Sequence, residues 1–156
     1  MIRIATATYE DLAFIASWLC SDDRIELALT RDPDDYHALA RAAASSSLCK
    51  VALDHGGVPV FAFGAYPTGG RDAHVWGFKT EAGARPDAGR AVTRFLLQDM
   101  IPGMRAAGIT RASCLVHRDN IASRRWLAHL GFQLRATPGE IGTPLLTYQR
   151  DDTGAV

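Results

Sequence analysis

Asn120-Ile121-Ala122-Ser123-Arg124-Arg125-Trp126-Leu127-Ala128-His129-Leu130-Gly131-Phe132 is the stretch from which the fold can be read. Asp119 and Asn120 offer a side-chain oxygen to the first unpaired N–H groups of a helix. Trp126, Leu127 and Leu130 then recur at the spacing of a single helical face, so they form its core side. Gly131 stops the helix, and Phe132 starts a new extended piece.

Upstream, Arg111 to His117 reads as a strand, preceded by Gly108, which ends a longer helix opening at about Asp87. Val92, Phe95, Leu96 and Met100 lie on one face of that helix, and Pro102-Gly103 predicts a kink or interruption before Ala107. Further back, Leu48 to Leu53 and Val58 to Phe63 flank the turn Asp54-His55-Gly56-Gly57 as a hairpin. Pro67 to Gly70 predicts a second turn, and Ala73 to Lys79 a third antiparallel strand in which Gly77 suggests a bulge or close backbone approach. The first third alternates at Ile2 to Thr6 and then turns helical. Thr8 caps a helix carrying Leu12, Ile15, Ala16 and Leu19 on one face, Ser21-Asp22-Asp23 opens a second, and Asp32-Pro33-Asp34-Asp35 a third, running through Leu39 and Ala43 to Ser45–Ser47 with proline at its first position. Downstream, Leu145 to Arg150 is expected to close the sheet. The order is β-α-α-α-β-β-β-α-β-α-β-β, an α/β class with residues 1–150 as one domain and 151–156 as a flexible tail.

Composition sets the outer limits. The 156 residues are 47% hydrophobic and 22% charged, which suits one globular domain and excludes a disordered or collagen-like chain. No apolar run is long enough to span a bilayer, and Met1 leads straight into a strand without a signal-peptide layout. Cys20, Cys49 and Cys114 are widely spaced, with no metal-ligand pattern, so no metal is expected and a reducing cytoplasm is. Net charge is zero, yet Arg85 to Arg135 holds nine arginines against three aspartates. A local anion site or a solvated basic face accounts equally for that excess.

The element order, together with the Asn120 to Phe132 segment, resembles the GNAT superfamily of N-acetyltransferases, in which this segment runs from Asn to Leu-Gly-Phe at the same length. The resemblance covers Ile2 to Arg150 and implies a mixed, mostly antiparallel central sheet flanked by helices. It implies acetyl-CoA as cofactor and an amine-bearing small molecule or protein as acceptor. Ile2-Arg3-Ile4-Ala5-Thr6, Asp23-Arg24-Ile25-Glu26-Leu27 and Trp126-Leu127 further resemble GNAT-like proteins of tailed bacteriophages. That likeness implies host cytoplasm or virion as the location, and a homodimer or virion assembly as the company.

By the same resemblance, the main chain at Trp76, Gly77, Phe78, Lys79 and Thr80 would pair with the pantetheine arm, and Asn120 and Ser123 would contact CoA. The family's phosphate loop reads Arg or Gln, two residues, Gly, one residue, then Gly or Ala. Gly89-Arg90-Ala91 fits its second half, while the leading position falls on Pro86 with Arg85 one place early; Gly83, Arg85, Gly89 and Arg90 are the expected phosphate contacts. The family's tyrosine acid is replaced by Leu127, which donates no proton. Glu26, His74, Glu81 and His117 are the candidate bases, His117 for its place at a strand end and its near-neutral titration. Two rival readings stand beside the enzyme: a non-catalytic GNAT-like phage structural or host-interaction protein, and nucleic-acid binding through Arg118, Arg124 and Arg125. The second lacks exposed aromatics between its arginines and any recognition motif.

Overall fold

Alternation along the strands decides which helix covers which face. The computed structural model describes residues 1–135 and 144–152. Its strands are β1 (Arg3–Thr6), β2 (Leu48–Leu53), β3 (Pro59–Gly69), β4 (Asp72–Lys79), β5 (Arg111–His117), β6 (Gln133–Arg135) and β7 (Leu145–Asp151). They form one seven-stranded sheet in the order β1-β2-β3-β4-β5-β7-β6. Every neighbouring pair is antiparallel except β4 and β5, which run parallel.

Val51, Leu53, Ala62 and Phe78 point to one face, where Leu12, Ile15 and Ala16 of α1 (Tyr9–Ser17) and Leu39, Ala40 and Ala43 of α3 (Tyr36–Ala44) cover them. Ala52, Phe61, Phe63 and Ala65 point the other way, against Ala88 and Val92 of α4 (Pro86–Phe95). Beside α4 on that face, α6 (Ile121–His129) packs Leu127 onto Cys114, Val116 and Tyr148. Trp126 packs against both of these clusters and joins them. Between α1 and α3, the short α2 (Ser21–Ala28) buries a single residue, and it is an aspartate, Asp23.

Local chemistry accounts for most element ends. Thr8 and Asp11 exchange side-chain hydrogen bonds with each other's backbone N–H at 3.2 and 3.0 Å, a complete capping box. Asn120 Oδ1 accepts from Ser123 N–H at 3.2 Å and so starts α6.

Several expectations are corrected. Pro33 does not open α3; it lies in the turn ahead of it, and Asp35 caps the helix by accepting from Ala38 N–H. β3 runs through Pro67 to Gly69, because β2 ends opposite Ala65 and the open edge beyond needs no proline N–H. Pro102 does not break its helix. Between α4 and α5 (Ile101–Ala106) the chain widens into a π-helical turn over Leu96–Met100, closed by Ile101 N–H donating to Leu96 C=O. Gly77 carries no bulge on its β3 side, where the register runs unbroken from Lys79 to Ala73. β7 inserts between β5 and β6 and leaves β6 at the edge. Asp151 belongs to β7 and Asp152 pairs with Arg150, so the part of the expected tail that is described is held to the sheet; residues 153–156 lie outside the described residues.

Gly64 in mid-β3 has a steric reason. A Cβ there would lie 2.2 Å from the Leu48 carbonyl oxygen and 2.6 Å from the Trp76 ring. Gly64→Ala is expected to cost about 1–3 kcal/mol through overpacking, read as a lowered urea midpoint with an unchanged slope.

Candidate functional site

The site follows from one interruption in the sheet. β4 and β5 pair only from Asp72–Arg111 to His74–Ser113. Beyond that point the strands diverge, while on the far side β5 stays paired with β7 as far as His117–Leu145. In β4 the odd-numbered residues direct their main-chain groups toward β5. The N–H and C=O of Lys79 are taken up there, by the Asp23 carboxylate at 2.8 Å and by Cys20 N–H at 2.8 Å. The groups of Gly77 face the opening, whereas those of Trp76, Phe78 and Thr80 are directed at β3 and Thr80 N–H donates to Val60 C=O.

Three neighbouring cavities lie about this opening. An apolar one of about 100 Å³ fills the wedge between β4, β5, the π-helical turn and α6. On the surface between α4 and α6 it abuts a groove of about 460 Å³ edged by Gly89, Arg90, Arg94 and His129. On the opposite side, under α2 and α3, lies a third cavity of about 380 Å³. Trp126 lines both the groove and the wedge, with its indole N–H donating to Thr93 Oγ1 at 2.6 Å. Glu26 lines both the wedge and the third cavity.

Glu26 Oε1 accepts the N–H of His117 at 2.6 Å. Burial pushes its carboxyl up to about 7, offset in part by the His117 N–H; the Asp23 charge raises it further, while Lys79 and Asn120 hold it down. Asn120 Nδ2 lies near this carboxylate, is buried and has no hydrogen-bond partner within 3.5 Å. Next to it sits the buried pair of Asp23 and Lys79, whose Nζ lies 3.2 Å from Oδ1 and 5.6 Å from the Phe61 ring centroid. Burial raises the Asp23 carboxyl against the pull of Lys79. For Lys79 burial is the largest single effect and acts downward, but the Asp23 charge and hydrogen bond together with the neighbouring Cys20 and Glu26 charges outweigh it, and the ammonium is held on. Cys114 also lines the wedge. Burial pushes its thiol up to about 12 and that of Cys20 to about 11, so neither is a thiolate nucleophile at neutral pH.

The expected bases separate. Glu26 and His74 both line the third cavity, where burial lowers the His74 imidazole and keeps it neutral. His117 contributes its main chain, while its Nδ1 accepts Asp119 N–H at 3.0 Å and its ring lines none of the three cavities. Glu81 caps α2, accepting from Ser21 N–H at 3.1 Å. Arg24 pairs with Asp34 rather than with Glu26. Arg124, put forward for nucleic acid, is tied to Tyr148 Oη and to the Arg118 carbonyl.

Among the expected cofactor contacts, Ser123 lines the wedge and Gly89 and Arg90 the groove. Gly83 has a packing reason for lacking a side chain, since a Cβ would fall 2.0 Å from the Val60 carbonyl oxygen. Arg85 is the N-cap residue of α4 without a side-chain bond. At that helix start Pro86 has no N–H to offer and Asp87 Oδ1 takes the N–H of Ala88, and the positive charge edging the groove comes from the side chains of Arg90 and Arg94. Asn120, expected to contact CoA, lines none of the three cavities; the main chain of Gly77 facing the opening and the basic groove fit an extended ligand with an anionic end. Asp23, Arg31, Arg94 and Trp126 were not singled out from the sequence as site residues.

Among the described residues no helix is long and apolar enough to cross a membrane, and no three acidic, His or Cys side chains cluster to hold a metal. No family model and no curated protein matches the chain. Solved structures do. A GCN5-related N-acetyltransferase from Kribbella flavida is 22% identical, with 96% of this chain and 97% of that one covered at a TM-score of 0.71. The PaiA N-acetyltransferase of Thermoplasma acidophilum, in complex with coenzyme A, is 15% identical over 97% and 99% at 0.67. YncA of Salmonella typhimurium, solved with its cofactor acetyl-CoA, is 18% identical over 98% and 95% at 0.65. Likeness at such identities rests on architecture, and the chain has the GNAT fold of these N-acetyltransferases.

Proposed function

We propose that this protein is an acyl-CoA-dependent N-acyltransferase, moving an acetyl group from acetyl-CoA to a primary amine within a ternary complex, with Glu26 as general base. The observation that carries the reading is the set of three neighbouring cavities about the β4–β5 opening, the groove and wedge sharing Trp126 and the wedge and third cavity sharing Glu26 in their linings. An extended cofactor and a separate acceptor have distinct places in such a set, and the carboxylate stands where they meet.

Arg90 and Arg94 would hold the phosphates, the main chain of Gly77 the arm, and the apolar walls of the wedge would exclude water. Acetyl-CoA, when bound, supplies the acyl group already activated as a thioester. Glu26 keeps Oε1 on the His117 N–H and accepts a proton from the incoming ammonium at Oε2. With its carboxyl near 7, the base is about half ionised at neutral pH and keeps enough basicity to take that proton. The neutral amine nitrogen would then bond to the acyl carbon as the carbon–sulfur bond breaks, the electron pair leaving on sulfur as a thiolate and the second amine proton passing to that thiolate or to water. Leu127 gives the departing sulfur no proton, which limits the rate without stopping transfer. Raised thiols at Cys20 and Cys114 argue against a relay through an acyl-cysteine and for direct transfer.

Initial-rate kinetics over a panel of primary amines, alongside calorimetric titration of acetyl-CoA, test the reading. Binding with 1:1 stoichiometry and intersecting double-reciprocal plots are expected. Absence of binding at millimolar acetyl-CoA would overturn it. Binding without transfer to any amine would instead favour an interaction domain that keeps the GNAT fold.

A further inference from the structure

The third cavity has a chemical polarity of its own. Its walls are mostly apolar, built from Leu39, Ala43, Val75, Phe78, Leu115 and Leu145. Aromatic surface is added by Tyr66, tilted on His74 with ring centroids 5.1 Å apart, and by Trp76, stacked on Phe78 at 5.4 Å. Trp76 is fixed in place because its indole N–H donates to Ser46 Oγ at 2.8 Å.

Among the described residues on the lining, two groups bring charge of opposite sign, the Arg31 guanidinium and the Glu26 carboxyl, about half ionised at neutral pH. Glu26 stands at the wedge end, and Arg31 lies five residues on, in the turn just past the end of α2, where its N–H donates to Leu27 C=O at 2.9 Å. His74 is neutral, its imidazole lowered by burial. The acids near Arg31 are otherwise engaged: Asp34 pairs with Arg24, and Asp32 Oδ1 accepts the N–H of Asp34. Among the described residues, the Arg31 guanidinium has no carboxylate within 4 Å.

We propose that the acceptor is a free amino acid with an apolar or aromatic side chain, its amine directed to Glu26, its carboxylate to Arg31 and its side chain to the walls of this cavity. The inference rests on the acyltransferase reading and deepens it. A cation at one end and a base at the other match a zwitterion, whereas a lysine side chain or an internal peptide segment brings no carboxylate to the guanidinium. Arginine's planar fork suits a carboxylate in particular. A cavity of about 380 Å³ holds a single amino acid and not a folded partner.

The test compares phenylalanine with phenethylamine, the same body without the carboxylate, in the wild type and in Arg31→Gln. Arg31 is exposed, so the variant is expected to fold. The wild type should favour phenylalanine by about 10- to 100-fold in kcat/KM, the range of a hydrogen bond to a charged group. In Arg31→Gln that preference should vanish through KM, with kcat and acetyl-CoA affinity unchanged. Titration of each compound followed by tryptophan fluorescence gives a readout independent of turnover and should show the same carboxylate dependence. Equal use or equal binding of the two compounds by the wild type overturns the inference, as does binding of neither. Transfer to amines irrespective of a carboxylate overturns it while leaving the acyltransferase standing. Absence of any transfer, with carboxylate-dependent binding retained, supports the pocket and counts against the enzyme.

Discussion

Glu26→Gln should lower kcat/KM for acetyl transfer by about 10²- to 10⁴-fold, the usual worth of a positioned general base. The amide keeps an oxygen for the His117 N–H, so the loss falls on proton transfer and not on the shape of the site. In the wild type, kcat/KM should rise with pH through a midpoint near 7, where the buried carboxyl titrates, and the variant should lack that limb. Stability should move in the opposite sense. A carboxyl whose folded-state value lies near 7 against 4.5 when unfolded binds more protons in the native state between those limits. Its contribution to stability is therefore complete below about pH 4.5 and is lost as pH rises through 7. The shift corresponds to about 3 kcal/mol. Glu26→Gln should match the wild type near pH 4 and be more stable by up to about 3 kcal/mol above pH 7, measured by urea unfolding across that range. A variant less stable than the wild type at pH 8 would show that Glu26 is a structural ion and not a desolvated base.

Asp23→Ala carries the second large effect. It strips the partner from a buried ammonium and the acceptor from the Lys79 N–H. Removing one half of a buried pair typically costs about 3–5 kcal/mol. Replacing both halves with apolar groups, as in Asp23→Leu with Lys79→Met, should recover part of that loss; the remainder reflects the Lys79 N–H left without its acceptor. The pair also tunes its neighbour. Asp23 raises the Glu26 carboxyl and Lys79 lowers it, so Lys79→Met should move the midpoint of the pH–rate profile upward and Asp23→Asn should move it downward. A midpoint unmoved in both variants would remove the pair from the chemistry and leave it a purely structural bond. Denaturant curves and pH profiles separate the two roles, since a merely structural pair changes only the first.

How legible the molecule was depended on the range of the interactions involved. α6 could be read because each signal for it is local. The Asn120 cap, the apolar face and the Gly131 stop all act within a few residues, and the helix runs from Ile121 to His129 as its pattern requires. Pro33 and Pro67 misled for the same reason, since each marks a backbone preference that neighbouring elements resolve. Pro33 was left in a turn because Asp35 offered the cap, and Pro67 was kept in a strand because β2 ends at its flank. Pro102 left a correct mark of disturbance, but the chain met it by widening one turn upstream.

The site was less legible. Glu26, His74, His117 and Glu81 are equivalent in sequence terms, because each is a titratable side chain near an element end. What separates them is long-range. His117 lies 91 positions from Glu26 and yet donates the N–H that fixes its carboxylate. Arg31 in a polar stretch carries no sign that it edges a cavity walled by residues from α2, α3, β3, β4, β5 and β7.

By itself, the amino-acid order determined the segments, the faces they bury and the GNAT architecture, because capping, periodicity and turn chemistry are carried by residues close along the chain. Only the tertiary structure decided which carboxylate loses its water, where β4 leaves β5, and which cation edges the cavity under α2 and α3. Desolvation and cavity shape depend on groups brought together from distant positions, and no local pattern records them.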